Sequence, residues 1–354
     1  MKYNFYSIIK APGKIARSFI PLFFVALAFS LAACGGDDEP NPNPEPPVVT
    51  DSEANKTLAS VWETSSYTSN SANRIDLYKK IQGWADACPS DLVFAKYLTA
   101  DNATASALEK SYPILECYNL AFDRVLNALK AGNPADGKTH IWALYNMGVV
   151  VQTPDGNYAI DVYHRRGAEL APYIDFYAIT HIHADHKCEN LAREMSKAGK
   201  AVLTNFSIDG VDNSAYRTME MRDYTIGKFN IHSFITHHNS SPISSLAITA
   251  FYVTGGGTKL LHSGDSNFIA EEFESMRSKE VDCYVFRYAV NALTENNVLG
   301  NIVKPKVAIL SHILELGHKD VANSRWSLEL GLDRASRLNS DNVAMPFWGD
   351  NVAM

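Results

Sequence analysis

The chain has 354 residues, 46% of them hydrophobic, and its 16 Phe, 17 Tyr and 5 Trp side chains need a packed interior, which excludes a wholly disordered protein. Its formal charge of −7 argues against an extended nucleic-acid-binding face, and five scattered cysteines are too few for a disulfide scaffold or a four-cysteine zinc module. The charge is unevenly spread: residues 1–33 carry Lys2, Lys10, Lys14 and Arg17 and no acid, so the remainder holds 28 bases against 39 acids, or −11.

After that basic flank, residues 19–33 form an apolar run, FIPLFFVALAFSLAA. It is shorter than the roughly 20 residues of a spanning helix and fits the core of a secretory signal peptide. Its end, Leu31-Ala32-Ala33-Cys34, resembles the bacterial lipobox. That resemblance implies cleavage before Cys34, acylation of its thiol and a membrane partner reached through the lipid. Residues 34–50, with Gly35-Gly36-Asp37-Asp38-Glu39 and PNPNPEPP, read as a disordered Pro/Asn-rich tether. The acidic patch after Cys34 also resembles the surface-export signal of some Gram-negative lipoproteins. The expected location is the outer membrane, on its periplasmic or cell-surface face.

Residues 51–135 read as a helical N-terminal region packed on the C-terminal part of the chain. Helix-like runs cover 74–87 and 105–131, and Leu108, Leu115, Tyr118, Phe122, Val125, Leu126 and Leu129 recur at helical spacing. Pro113 predicts a kink or a fresh helix start. Cys88 and Cys117 are either a disulfide or two buried thiols.

From about residue 138 the texture changes to strands alternating with turns and helices. Apolar runs at 141–145, 149–153, 158–162, 176–180, 201–204, 229–236, 246–254, 258–262, 281–286 and 307–311 predict strands; 189–199 and 270–279 predict helices. Pro154-Asp155-Gly156-Asn157 is a hairpin turn, and Gly255-Gly-Gly257 reads as another rather than as a phosphate cradle. No G-x-S-x-G or P-loop is present, and residues 136–354 read as one layered α/β domain.

The densest chemistry lies at Thr180-His181-Ile182-His183-Ala184-Asp185-His186, after an apolar strand. Imidazole nitrogens suit borderline divalent cations, and a carboxylate adds charge neutralisation. With this motif the sequence resembles the metallo-β-lactamase-fold hydrolases over roughly residues 140–350. Asn146-Met-Gly148 and the hairpin after it resemble the family's opening strands; Leu261-His262-Ser263-Gly264-Asp265 and Ala308-Ile-Leu-Ser-His312 resemble its later ligand-bearing strands. The resemblance implies an αββα sandwich with the site at one edge of two packed sheets. His181, His183 and His238 would hold one metal, Asp185, His186 and His312 the other, and Asp265 would bridge. Thr236-His237-His238-Asn239 offers two candidates for one ligand; His238 is preferred, as the residue where the strand gives way to a loop. Two divalent ions are implied, zinc by default, with manganese or iron compatible.

The same resemblance implies a metal-bridging hydroxide attacking an ester, lactone or phosphodiester of a small-molecule substrate; the signal segment would place that reaction outside the cytoplasm, and the acidic charge argues against a nucleic-acid partner. Asp185 would orient that hydroxide and take its proton. His318 is a candidate catalytic group, touching substrate or protonating the leaving group, or else the solvated start of a helix. Glu315 is a candidate acceptor for the outer nitrogen of a ligating imidazole. Arg325 is a candidate for an anionic group, whereas Trp326 and Trp348 suit core packing. His262, Cys188 and Cys283 read as packed residues, Arg165 and Arg166 as surface ion pairs, and His140, His164 and His232 carry no assigned role. The G-H-T-x-G form common to the family's thiolesterases and lactonases is absent, which counts against those activities. Two other readings stand beside the hydrolase: β-lactam hydrolysis, and a non-catalytic surface-binding lipoprotein.

Overall fold

Alternation along the strands sorts the apolar residues of the second half onto two faces. Val149 and Val151 lie in one buried cluster and Val150 in another; Cys283 and Val285 separate in the same way from Tyr284 and Phe286. A sheet buried on both faces must be covered on both. In the computed structural model, which describes residues 52–240, 243–288, 293–317 and 326–354, two sheets pack face to face with helices outside each.

The first sheet contains β1 (His140–Ala143), β2 (Val149–Thr153), β3 (Gly156–Ile160), β4 (Phe176–Ala178), β5 (Ala201–Leu203) and β13 (Asn351–Ala353), in the order β13-β1-β2-β3-β4-β5. The second contains β6 (Arg222–Ile226), β7 (Phe229–Ser240), β8 (Ile243–Gly255), β9 (Thr258–His262), β10 (Val281–Arg287), β11 (Pro305–Ser311) and β12 (Val343–Ala344), in the order β12-β11-β10-β9-β8-β7-β6. Strands β9 to β12 run parallel, so their C-terminal ends gather at one edge. Strands β3, β4 and β5 are also mutually parallel. Between the sheets lie Val149, Val151, Ile160, Phe176, Phe229, Phe251, Val285 and Ile309. This is the αββα sandwich that the resemblance implies.

The helices of the first half are α1 (Glu53–Trp62), α2 (Ile75–Asp86), α3 (Ala95–Thr99), α4 (Asn102–Ser111) and α5 (Pro113–Lys130). Pro113 starts a fresh helix, sitting at its first turn where the missing N–H costs nothing. Helix α5 serves both outer faces. Its first half (Ile114, Leu115, Tyr118) joins the cluster over the second sheet, and its second half (Phe122, Val125, Leu129) the cluster over the first, with α6 (Glu189–Lys197). Burying each such side chain contributes about 1.5–3 kcal/mol, so the helical region and the sandwich stabilise each other. Residues 50–354 form one compact unit. A buried ion pair ties its ends: Arg74 Nη1 lies 2.7 Å from Asp350 Oδ2, and the same guanidinium donates to the carbonyls of Val61 and Thr64.

Two expectations are corrected, and one alternative is decided. The expected helix at 270–279 is present but ends at Met276, as a 3-10 helix, Ala270–Met276, whose three-residue turn aligns Phe273 and Met276 into the core. Strand β7 does not end at residue 236 but continues to Ser240, so His237 and His238 lie within a long hairpin. Cys88 and Cys117 are buried thiols, not a disulfide.

Candidate metal centre

The site lies where loops from both sheets meet. Beyond β4, His181 and His183 lead into a short 3-10 turn, Ala184–His186, which brings Asp185 and His186 round to the same place. Asp265 follows β9 after Ser263-Gly264, and His312 follows β11 directly. His238 comes from β7, at a register shift between His238 and Ser240. Alternation along the strand, rather than a strand end, turns it to the opposite face from its neighbour. His237 turns away: its Nδ1 lies 2.6 Å from Glu272 Oε1, and its N–H donates to the other oxygen of that carboxylate.

Ligand-type atoms of His181, His183, His238 and Asp265 lie within 4.8 Å of one another, and those of Asp185, His186 and His312 form a second such group. His181 Nε2 and His183 Nδ1 converge to 3.0 Å. Asp265 faces both groups, since its carboxylate oxygens are 3.5 Å from His186 Nε2 and 3.4 Å from His312 Nε2. Asp185 Oδ2 is 3.3 Å from His186 Nε2 and 3.6 Å from His312 Nε2.

The residues fit a cation on two counts. Both ring nitrogens of His238, Nε2 of His186, both nitrogens of His312 and Oδ1 of Asp265 are buried without a hydrogen-bond partner, a costly arrangement that coordination would relieve. The charges also need one. Burial alone would push Asp185 and Asp265 up, but His186 and His312 outweigh it and hold both carboxyls well below the ordinary range. In return, Asp265 and Asp185 overcome burial to raise His186 well above its usual value and His312 to about 10. A divalent ion would take over this charge balance by displacing the ring protons that the acids favour. Burial lowers the His181 and His183 pKa values and takes His238 to about 4, which keeps these rings neutral, as ligands must be.

Behind these candidate ligands stands a buried residue that sequence reasoning missed. Asp161, after β3, accepts from Thr180 N–H (2.7 Å) and Thr180 Oγ1 (2.7 Å), and its Oδ2 lies 2.8 Å from His186 Nδ1. Since the Thr180 hydroxyl donates to Asp161, His181 Nδ1, 3.0 Å from that oxygen, is assigned as its N–H donor. Both rings then present Nε2 lone pairs to the site. The Asn146-Met147-Gly148 loop is the other support. Asn146 Nδ2 donates to Asp185 Oδ2 at 2.8 Å, and the Asn146 carbonyl accepts from His312 N–H and Ser311 Oγ. His262 is packed as expected, bridging Met147 O at 2.9 Å and Gly264 N–H at 3.2 Å.

Of the other candidates, Glu315 is buried with Oε2 3.9 Å from His312 Nδ1, and the Trp326 ring lies 4.5 Å from the His312 ring. Trp348 packs in the core against Tyr145 and Phe347. Arg166 pairs with Asp123 and Glu169, and Cys188 and Cys283 are buried. His318, Arg325, Cys34, the signal segment and the tether lie outside the described residues.

No protein-family profile matches this chain, and no curated protein does. Solved structures with similarity to it include Igni18, a metallo hydrolase from the archaeon Ignicoccus hospitalis, at 13% identity and TM-score 0.44 over 61% of this chain and 98% of that one. A metallo-beta-lactamase fold protein, YhfI from Bacillus subtilis, is similar at 17% identity and TM-score 0.42 over 63% and 95% of the two chains. CmlA, a diiron beta-hydroxylase from Streptomyces venezuelae, is similar at 12% identity and TM-score 0.44, over 63% of this chain and 55% of that one.

Proposed function

We propose that this chain is a metal-dependent hydrolase of the metallo-β-lactamase type, holding two divalent ions and cleaving an ester, lactone or phosphodiester bond in a small molecule. The observation that carries the reading is the pair of ligand groups facing each other across Asp265. His181, His183 and His238 would hold one ion, Asp185, His186 and His312 the other, and Asp265 both. When bound, such ions supply Lewis acidity toward a carbonyl or phosphoryl oxygen and make water acidic enough to attack at neutral pH.

The chain's own part is positional and protic. Asp161 and Thr180 fix the rings of His186 and His181, so their lone pairs converge without rearrangement. Asn146 holds Oδ2 of Asp185, leaving the second oxygen of that carboxylate to orient water and accept its proton. The extracytoplasmic, lipid-anchored part of the reading is supported by residues 19–34 alone; a Cys34→Ser variant that fails to incorporate labelled palmitate and leaves the membrane fraction would bear it out.

Asp265→Ala tests the centre. Metal content should fall from about two ions per chain, and turnover should vanish with it across a panel of lactones, a phosphodiester, a phosphonate ester and a chromogenic cephalosporin, each with added zinc or manganese. Full activity in the variant would sink the mechanism. A wild-type chain without bound metal and inert on the whole panel would favour a binding protein instead.

A further inference from the structure

Strand β10 ends in Arg287, and its place in the sheet is unusual for a cation. It runs between β9, which leads to Asp265, and β11, which leads to His312. In register Arg287 pairs with Ser311, the residue before His312. Alternation puts Cys283 and Val285 on the face turned toward the other sheet, and Arg287 shares their parity. It thus stands at the mouth of the inter-sheet space, flanked by the two loops whose acid and imidazole face the metal groups. Its charge is near enough to His238 to help lower that ring's pKa.

Nothing on the described protein neutralises it. Among the described residues no carboxylate pairs with Arg287. Its side-chain partner is neutral: Nη2 donates to Asn267 Oδ1 at 3.0 Å, and Asn267 is itself fixed by its N–H on the His237 carbonyl at 2.8 Å. Nε is buried and has no hydrogen-bond partner. A half-buried guanidinium with an unspent donor, held in place by an amide and set beside a catalytic centre, suits a bound oxyanion. Several described arginines are paired with acids, such as Arg74 with Asp350, Arg166 with Asp123 and Glu169, and Arg277 with Glu274, whereas Arg124, Arg165 and Arg217 also keep a buried unpartnered nitrogen; what sets Arg287 apart is its place between the strands that lead to Asp265 and His312.

We propose that Arg287 binds an anionic oxygen group of the substrate, so that the enzyme prefers substrates carrying a carboxylate or phosphate close to the bond it cleaves. This rests on the hydrolase reading above and names the substrate class. It also explains how an acidic protein holds such a substrate: the chain's overall field repels it, and attraction must be local.

The test uses the full metal-loaded chain as wild type, Arg287→Met and Arg287→Lys, with thermal melts to establish folding. The probes are the 4-nitrophenyl hemiester of succinate and its neutral methyl ester. Wild type should favour the charged ester. In Arg287→Met the ratio of kcat/KM between charged and neutral ester should fall at least about tenfold, chiefly through KM, and Arg287→Lys should recover part of it because the charge returns without the fork. An unchanged ratio would overturn the proposal. If wild type cleaves neither ester, the ester part of the hydrolase reading fails, and calorimetry with succinate and with inorganic phosphate decides separately. Binding at least about tenfold weaker in Arg287→Met supports the anion site, and tells which oxyanion it takes; equal binding to both proteins overturns it.

Discussion

Replacing Asp161 with Asn changes the fewest atoms and should have a disproportionate effect on the metal centre. The carboxylate is fully buried and receives three contacts, from Thr180 N–H, Thr180 Oγ1 and His186 Nδ1. An amide at the same place keeps an oxygen for the Thr180 N–H. It puts an NH2 against the Thr180 hydroxyl and the His186 ring, and removes the charge that supports both imidazoles. Loss of such an outer partner costs about 10–100-fold in metal affinity, equivalent to about 1.4–2.7 kcal/mol. Asp161→Ala is harsher. It strands three buried polar groups at about 1–3 kcal/mol each, so about 3–6 kcal/mol in total once non-additivity is allowed for. The assay is metal retention against graded chelator, with urea melts of the metal-free proteins alongside. Asp161→Asn should release metal 10–100-fold more readily while still folding cooperatively. If it folds and retains both ions with wild-type affinity, the argument that Asp161 sets the two rings is refuted.

His238→Ala should lose about one metal ion per chain by elemental analysis, whereas His237→Ala should keep both, because Glu272 holds His237 away from the site. Gly264 has φ 49, and a Cβ there would lie 2.6 Å from Thr180 Oγ1; Gly264→Ala should cost about 2–4 kcal/mol in urea melts and loosen metal binding by displacing Thr180. His164 stacks on Phe122 at 4.0 Å, and burial, then Arg166 and Arg165, hold its pKa well below the ordinary value. The unfolded ring takes a proton below about pH 6.5 and the folded one does not, so this stabilisation is present above that pH and lost as pH falls, by up to about 1.4 kcal/mol per unit. Between pH 7.5 and 5 the wild type should lose about 2 kcal/mol relative to His164→Phe in chelator-treated melts, and parallel profiles would exclude the effect.

Much of the sandwich was legible because its strands are buried on both faces, and continuous apolar runs bounded by turns record that directly. The cluster of ligand-type side chains was legible for a different reason: four of them fall at one strand end, and the resemblance pointed to the Gly-Asp and Ser-His that close two later strands. What was not legible depends on pairing across long separations. Asp161 resembles any acid after a hairpin until the Ile160–Ala178 register brings it beside Thr180. Arg287 resembles a charge ending a buried strand until parallel pairing sets it next to Ser311. His237 is drawn off by Glu272, 35 residues on, a partner that leaves no mark in local spacing.

The backbone carries a further sign that these loops are held rather than relaxed. Asn146, Asp161 and His312 all have positive φ, at 54°, 50° and 63°. Side chains other than glycine reach that region at a cost of about 1–2 kcal/mol each, and the cost falls at the site rather than at surface turns. Two of the three are linked directly, since His312 N–H donates to the Asn146 carbonyl, and Asp161 is tied separately, its N–H donating to the Ala178 carbonyl and its carboxylate accepting from Thr180. Each unfavourable residue is therefore fixed by a hydrogen bond that a relaxed backbone would lose. Such strain persists only where packing over-determines it. Here the packing comes from both sides of the molecule. Tyr145, next to Asn146, packs among Phe94, Tyr118 and Trp348 in tilted and edge-on contacts, and its hydroxyl accepts from Leu316 N–H and Gly317 N–H just beyond His312. Phe94 and Tyr118 belong to the helical N-terminal half. That half therefore acts on the centre through Tyr145, by holding the two loops that present Asn146 and His312, without supplying any of the ligand groups itself.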